Sequence, residues 1–149
     1  MNATPSETVL FFGHFHPLLV HLPIGMIVLV AVLELLGRGP RCQHARAANG
    51  FILALAAPAS IVSALCGWML SFGGGYDAQR LDWHKWTGFG VAAVCALALV
   101  LHRLRLEKAY RLLLAATCGL LIVASHFGGS LTHGSDYLTR YAPAFARGW

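Results

Sequence analysis

"PLLVHLPIGMIVLVAVLELL", residues 17–36, is a stretch in which almost every side chain is apolar. A helix of about 20 residues is long enough to cross the ~30 Å hydrocarbon layer of a bilayer. Three comparable apolar runs follow, at roughly residues 48–72, 83–101 and 110–127. The pattern predicts an all-α integral membrane protein, a four-helix bundle in which residues 1–149 form one four-span domain.

The overall composition agrees with a membrane protein. Hydrophobic residues make up 57% of the 149 residues and charged residues only 11%, whereas soluble domains carry about 25% charged residues. The net charge of +5 is spread over short loops, so we expect the lipid bilayer rather than nucleic acid as a partner. Short connections predict antiparallel neighbouring helices. Apolar helix faces pack equally well on lipid and on a second copy, so a monomer and a homo-oligomer both stay open.

The basic residues predict the orientation. Seven of the 11 lysines and arginines lie in the loops after the first and third helices, namely Arg38, Arg41, Arg46, Arg103, Arg105, Lys108 and Arg111. The other four are Arg80, Lys85, Arg140 and Arg147. By the positive-inside rule the first set is cytoplasmic, so both termini face the outer, periplasmic side of a bacterial inner membrane. The N-terminal segment lacks a basic region and a small-residue cleavage site, so we expect the first helix to be retained.

This topology brings six of the eight histidines to the outer end of the bundle: His14, His16, His21, His84, His126 and His133. Polar side chains inside a membrane are costly and usually mark function. The alternative is that they anchor the interface, as the nearby Trp68, Trp83 and Trp86 are expected to do. We interpret the cluster as functional, with His14 alone as an anchor. His44 and His102, at the other end, are interpreted as solvated loop or interface residues.

Clustered imidazoles can ligate haem iron, copper or zinc. The chain has no CxxCH motif, so a haem would be b-type. The first and fourth helices offer no histidine at the cytoplasmic end, so we expect at most one haem, near the outer face. We predict that His21 or His84 lies opposite His126 across the iron, with His133 or His16 beside a propionate.

A copper or zinc site is the competing interpretation. His21, His84 and His126 would be its imidazole ligands, with Asp82 or Asp136 as a carboxylate partner. These aspartates also have local explanations, since Asp82 can cap the third helix and Asp136 lies in a turn. A protein without any cofactor is the third possibility.

Small residues inside the helices have two interpretations. Glycines either admit a flat macrocycle close to the backbone or simply let helices pack closely in lipid. The glycines concerned are Gly25, Gly67, Gly88, Gly119 and Gly128. The four cysteines form no CxxC pair, so we interpret them as small apolar side chains in packed helices. They are Cys42, Cys66, Cys95 and Cys118. No phosphate loop, metalloprotease helix or catalytic triad spacing is present, which favours an electron-transfer or structural subunit over a stand-alone enzyme.

Four motifs carry a family resemblance: "GHFHPLLVHLPIG", "GWMLSFGGGYD", "WHKWTG" and "SHFGGSLTHGSDYL". In combination they resemble an uncharacterised family of small, histidine-rich bacterial membrane domains with four spans, over roughly residues 12–141. Domains of that family are often fused to c-type cytochrome domains, which implies a place in periplasmic or membrane electron transfer. The motif histidines are His16, His21, His84, His126 and His133. This chain has no haem-c motif, so the resemblance implies either a separate cytochrome chain or another role.

Three functions follow from these observations. The first is a membrane electron-transfer subunit that binds one haem b and passes electrons, from quinol for example, to a periplasmic or membrane-bound c-type cytochrome. The second is a scaffold subunit of a respiratory or cytochrome complex that has no catalytic role. The third is a copper or zinc site for metal handling.

Overall fold

The structure is a computed structural model that describes residues 5–140 and 142–143. All regular secondary structure in those residues is helical. The helices are α1 (Glu7–Gly13), α2 (His16–Leu19), α3 (His21–Leu36), a 3-10 segment (Pro40–Ala48), α4 (Asn49–Ser71), α5 (Ala78–Arg103) and α6 (Glu107–His133). Arg147, counted above among the outer charges, lies outside the described residues, as do both chain ends.

Four helical stretches are long and apolar enough to cross a membrane, which confirms the predicted number. They are Glu7–Leu36, Cys42–Ser71, Ala78–Arg103 and Glu107–His133. Large apolar side chains also cover the outside of the bundle, where Leu18, Phe51, Leu112 and Ile122 are 71–72% exposed. Such an exposed apolar surface is typical of helices that face lipid.

The first span begins earlier than predicted and is divided into three short helices. Ser6 caps α1, since its Oγ accepts the Val9 backbone N–H at 3.3 Å. Pro17 lies in the first turn of α2, where its lack of an N–H costs no helical hydrogen bond. Both α1 and α2 pack against α4. The N-terminal part of the span is therefore held along the C-terminal part of α4.

The long helices follow one another around the bundle. Helix α3 packs on α4, α4 on α5 and α5 on α6, and α6 returns to α3. The α5–α6 interface is the most extensive. Ile27, Val30 and Leu53 lie in the core. Cys66 and Cys95 are buried as well, as expected for small apolar side chains.

Helix α5 begins at Ala78, earlier than the predicted start at residue 83. Asp77 caps it by accepting the Arg80 backbone N–H at 2.9 Å. The expectation that Asp82 is the cap was therefore wrong. Asp82 lies inside the first turns and pairs with Lys85 at 2.7 Å. A cap needs a residue just outside the helix, and the apolar run alone did not locate that point.

Helix α6 continues through Gly128 and Gly129, where the sequence predicted its end. It stops at His133, and Gly134 follows with a φ of +93°. A Cβ at Gly129 would lie 2.6 Å from Cζ of Tyr137, so this glycine admits an aromatic ring. Tertiary packing outweighs the low helix propensity of the two glycines, which is about 1 kcal/mol each.

Candidate functional site

Two histidines from different spans meet at the predicted outer end of the bundle. His16 lies in α2 and His84 in the first turns of α5. Their ring centroids are 5.9 Å apart and their planes make an angle of 72°. Both side chains are half-buried. The fold therefore brings together two imidazoles that are 68 positions apart in the chain.

Each of these imidazoles is held by a backbone carbonyl of a neighbouring helix. His16 Nδ1–H donates to the Ser63 carbonyl at 2.8 Å, and His84 Nδ1–H donates to the Ala124 carbonyl at 2.9 Å. A carbonyl oxygen only accepts, so the proton is on Nδ1 in both rings. The lone pair is then on Nε2. This is the tautomer and the backbone support found for histidines that ligate metals.

Two glycines create the space for these rings. A Cβ at Gly67 would lie 2.9 Å from Cε1 of His16, and one at Gly128 would lie 2.9 Å from Cε1 of His84. These two glycines therefore admit imidazoles, where the sequence suggested a macrocycle or helix packing. Gly88 differs, because nothing lies within 4 Å of its Cβ position. It follows His84 by one helical turn on the same face of α5.

The structure pairs His84 with His16, not with His126 as the sequence suggested. His126 is exposed and contacts Phe127 and Tyr137, with ring centroids 5.7 Å and 6.1 Å away. It follows Ala124 by two residues, so it points about 200° around α6 from the carbonyl that holds His84. Helix rotation, which the sequence did not reveal, separates the two histidines.

The other predicted histidines lie at the surface. His21 is exposed at the start of α3, and His133 is exposed beside Tyr137, with ring centroids 6.3 Å apart. His14 is exposed too, and its Nδ1 contacts the Leu10 carbonyl of its own helix at 2.7 Å. No group of three histidine, cysteine or acidic residues able to hold a metal occurs in the described part of the chain. The structure thus offers a pair of imidazoles.

Asp136, a predicted carboxylate partner, is engaged elsewhere. Its two oxygens accept from Nη2 and Nε of Arg140, both at 3.1 Å. This bidentate contact holds the pKa of the Asp136 carboxyl below its ordinary value. The exposed pair lies in the turn after α6.

We expect the Asp136 carboxyl to titrate below the ordinary range of an aspartate, and Arg140→Gln to raise that pKa. Because the folded pKa is lowered, the stability contributed by this pair is present above the unfolded pKa and is lost as the pH falls through the folded one. Carboxyl carbon chemical shifts followed by NMR during an acid titration measure both values. Titration at the same pH in the parent chain and in Arg140→Gln would contradict the assignment.

A second polar site lies at the opposite end of the bundle, where sequence reasoning expected only loop charges. Glu34 is 3% exposed although it belongs to the first apolar run. Its Oε1 lies 2.9 Å from both Arg46 Nη2 and Arg111 Nε. Asn49 Nδ2 donates to its Oε2 at 3.1 Å. A buried carboxylate is thus neutralised by arginines of the 3-10 segment and of α6, as such a charge requires.

The network around Glu34 extends to other charged and aromatic groups. Glu107 Oε2 lies 3.1 Å from Arg46 Nη2 and 3.4 Å from Arg111 Nη2. The hydroxyl of the fully buried Tyr110 accepts from Asn49 at 3.4 Å. The single acidic residue inside "VAVLELL" was the signal for this site. The arginines were interpreted only as topology markers.

His102 belongs to the same end, and we predicted it to be a solvated loop or interface residue. Its ring contacts that of Tyr110 with centroids 4.8 Å apart, and it is half-buried. A Cβ at Gly50 would lie 2.9 Å from His102 Nε2, so this glycine makes room for the ring. His44 is exposed, as predicted.

Comparisons with known proteins assign neither a family nor a function to the chain. No protein-family model, no curated protein and no solved structure matches the chain. The resemblance to the histidine-rich four-span family therefore stays a prediction. The functional argument consequently depends on the two sites themselves.

Proposed function

We propose that the chain is a multi-pass protein of the bacterial inner membrane that would transfer electrons through one haem b, which His16 and His84 would hold. The observation that carries the proposal is the shared support of the two rings, since each Nδ1–H is bound by a helix carbonyl. This leaves two Nε2 lone pairs on imidazoles whose centroids are 5.9 Å apart.

The number of donors favours haem over a bare metal ion. A zinc or copper site usually takes three or four protein ligands. Haem iron needs only axial ligands from the protein, because the macrocycle supplies the other donors. His16 and His84, whose ring centroids are 5.9 Å apart, would supply two such ligands.

The surrounding residues suit an axial pair. The Ser63 and Ala124 carbonyls fix the orientation of the rings and the position of the ring proton. Nothing lies within 4 Å of the Cβ position of Gly88, one helical turn from His84. When bound, haem supplies reversible one-electron chemistry, and the protein sets its potential through the ligands and their burial.

The orientation and partners form part of the same proposal. Cytoplasmic loops on the arginine-rich side would place both termini and the histidine pair near the periplasm. Exposed Trp68, Trp83 and Trp86 at that end suit a membrane–water interface. Electrons would then pass from the membrane, for example from quinol, to a c-type cytochrome on that side.

An absorption spectrum of the detergent-purified chain, expressed with sufficient haem, tests the proposal. We expect a Soret band and, after dithionite, an α-band typical of six-coordinate haem. His16→Ala and His84→Ala should each remove the six-coordinate spectrum, since each deletes one axial ligand. His126→Ala should retain it, because this exposed histidine lies on another face of α6. Gly128→Ala, whose Cβ would press on the His84 ring, should shift the reduction potential.

Metal analysis on the same samples separates the alternatives. A colourless protein with stoichiometric copper or zinc, lost in His84→Ala, would replace haem by a metal ion. A colourless and metal-free protein would contradict the electron-transfer proposal. In that case, co-purification with a cytochrome would point to a scaffold subunit.

A further inference from the structure

Two adjoining open pockets lie at the arginine-rich end of the bundle. They have volumes of about 570 Å³ and 510 Å³ and share Gln43, Arg46 and Arg111 in their linings. The smaller one, which we call the arginine pocket, is lined by Gly37, Arg38, Gln43, Arg46 and Arg111. Its walls therefore come from the end of the first span, the 3-10 segment and α6.

The arginine pocket carries more positive than negative charge. Three guanidinium groups line it, and two of them meet the carboxylates of Glu34 and Glu107. Three positive charges against two negative charges leave one positive charge. Arg38 is exposed and has no ion pair within the described residues. An anion at this place would balance the charge.

The pocket also holds hydrogen-bond donors without acceptors. Arg46 Nε is buried and lacks a hydrogen-bond partner among the described residues. Because this atom is closed to solvent, a ligand in the pocket would meet other donors. The Arg38 guanidinium and the exposed Gln43 amide are further donors beside it. Several N–H donors around one net positive charge are suited to tetrahedral oxyanions.

We propose that the arginine pocket binds a phosphate group. The phosphate oxygens would accept from the Arg38 guanidinium and the Gln43 amide, and the Arg46 and Arg111 guanidinium groups in the lining would add positive charge. The pocket lies where the spans end, so phospholipid headgroups adjoin it whichever leaflet it faces, and basic pockets between helices bind anionic headgroups in this way. A lipid phosphodiester and a free phosphate share this chemistry. The proposal is independent of the histidine pair and of haem.

Thermal unfolding of the detergent-purified, delipidated chain, followed by tryptophan fluorescence, tests the site. The probes are phosphatidylglycerol, phosphatidylcholine and inorganic phosphate, the last against chloride at equal ionic strength. We expect phosphatidylglycerol to raise the midpoint more than phosphatidylcholine, whose choline would meet the guanidinium groups. Arg38→Gln should lower the affinity for the phosphate ligand about tenfold, the usual contribution of a charged hydrogen bond.

Arg103→Gln is the matched control. Arg103 is exposed at the same end of the bundle but does not line the pocket, so its loss removes the same charge without the site. The control should retain the full affinity. Stabilisation by phosphatidylglycerol identifies a lipid site, and stabilisation by inorganic phosphate alone identifies a soluble ligand. Equal losses in both variants, or no stabilisation by either phosphate source, would overturn the proposal.

Discussion

Glu34→Gln lowers the free energy of unfolding by about 3 kcal/mol, the lower part of the range expected when one partner of a buried ion pair is removed. Glu34 is 3% exposed and neutralises Arg46 and Arg111, each at 2.9 Å. The amide keeps the shape and its oxygen can still accept from Asn49, but its NH2 group cannot accept from the arginines, so the variant removes one acceptor together with the charge. The arginine side chains are 28% and 35% exposed, and partial hydration limits the loss.

Unfolding by increasing sodium dodecyl sulfate in mixed micelles, followed by circular dichroism, measures this difference. Glu107→Gln is the matched control, because Glu107 contacts the same two arginines from a side chain that is 48% exposed. Exposed ion pairs contribute about 0–1 kcal/mol, so this variant should unfold almost like the parent. If both variants lost a similar free energy of unfolding, the burial of Glu34 would not determine its contribution to stability.

Gly13→Ala lowers the free energy of unfolding by about 2 kcal/mol, the usual effect of overpacking a close contact. A Cβ at this position would lie 2.6 Å from the backbone N of Leu70 and 2.8 Å from its Cα. Backbone atoms cannot rotate away as a side chain can, so α1 must move off α4. His16 lies three residues further along, and we expect its contact with Ser63 to loosen as well.

The same unfolding measurement on Gly25→Ala provides the control for Gly13. Nothing lies within 4 Å of the Cβ position of Gly25, so alanine fits there and slightly favours the helix. The control should be as stable as the parent or slightly more stable. If Gly13→Ala were as stable as Gly25→Ala, the close approach of α1 and α4 would not be a constraint on the fold.

The bounds of the long helices could be predicted closely where an apolar run had clear limits in the sequence. The predicted second span, 48–72, differs by one residue at each end from α4, Asn49–Ser71. The fourth was predicted to end at residue 127, yet α6 continues to His133. Gly128 is a helix-stop signal in isolation, but here it contacts the His84 ring, and local propensity yields to this packing.

The candidate site could be predicted from the sequence only in part. Threading the spans brought His16 and His84 to one end of the bundle, but their pairing depends on Gly67 and Gly128, which admit the two rings. The sequence analysis placed His16 beside a propionate and predicted His126 as a ligand of the iron. Glu34 was overlooked, although one carboxylate within an apolar run is a strong indication of buried partners.

Composition and hydropathy were sufficient to predict an all-helical chain with four stretches able to cross a membrane, because a hydrocarbon layer imposes length and apolarity on each helix separately. Those requirements act within one helix and can be read along the chain. The meeting of His16 with His84, and of Glu34 with Arg46 and Arg111, was decided by the tertiary structure. Such contacts depend on how each helix is rotated about its axis, and that rotation is set by close packing between segments far apart in the chain.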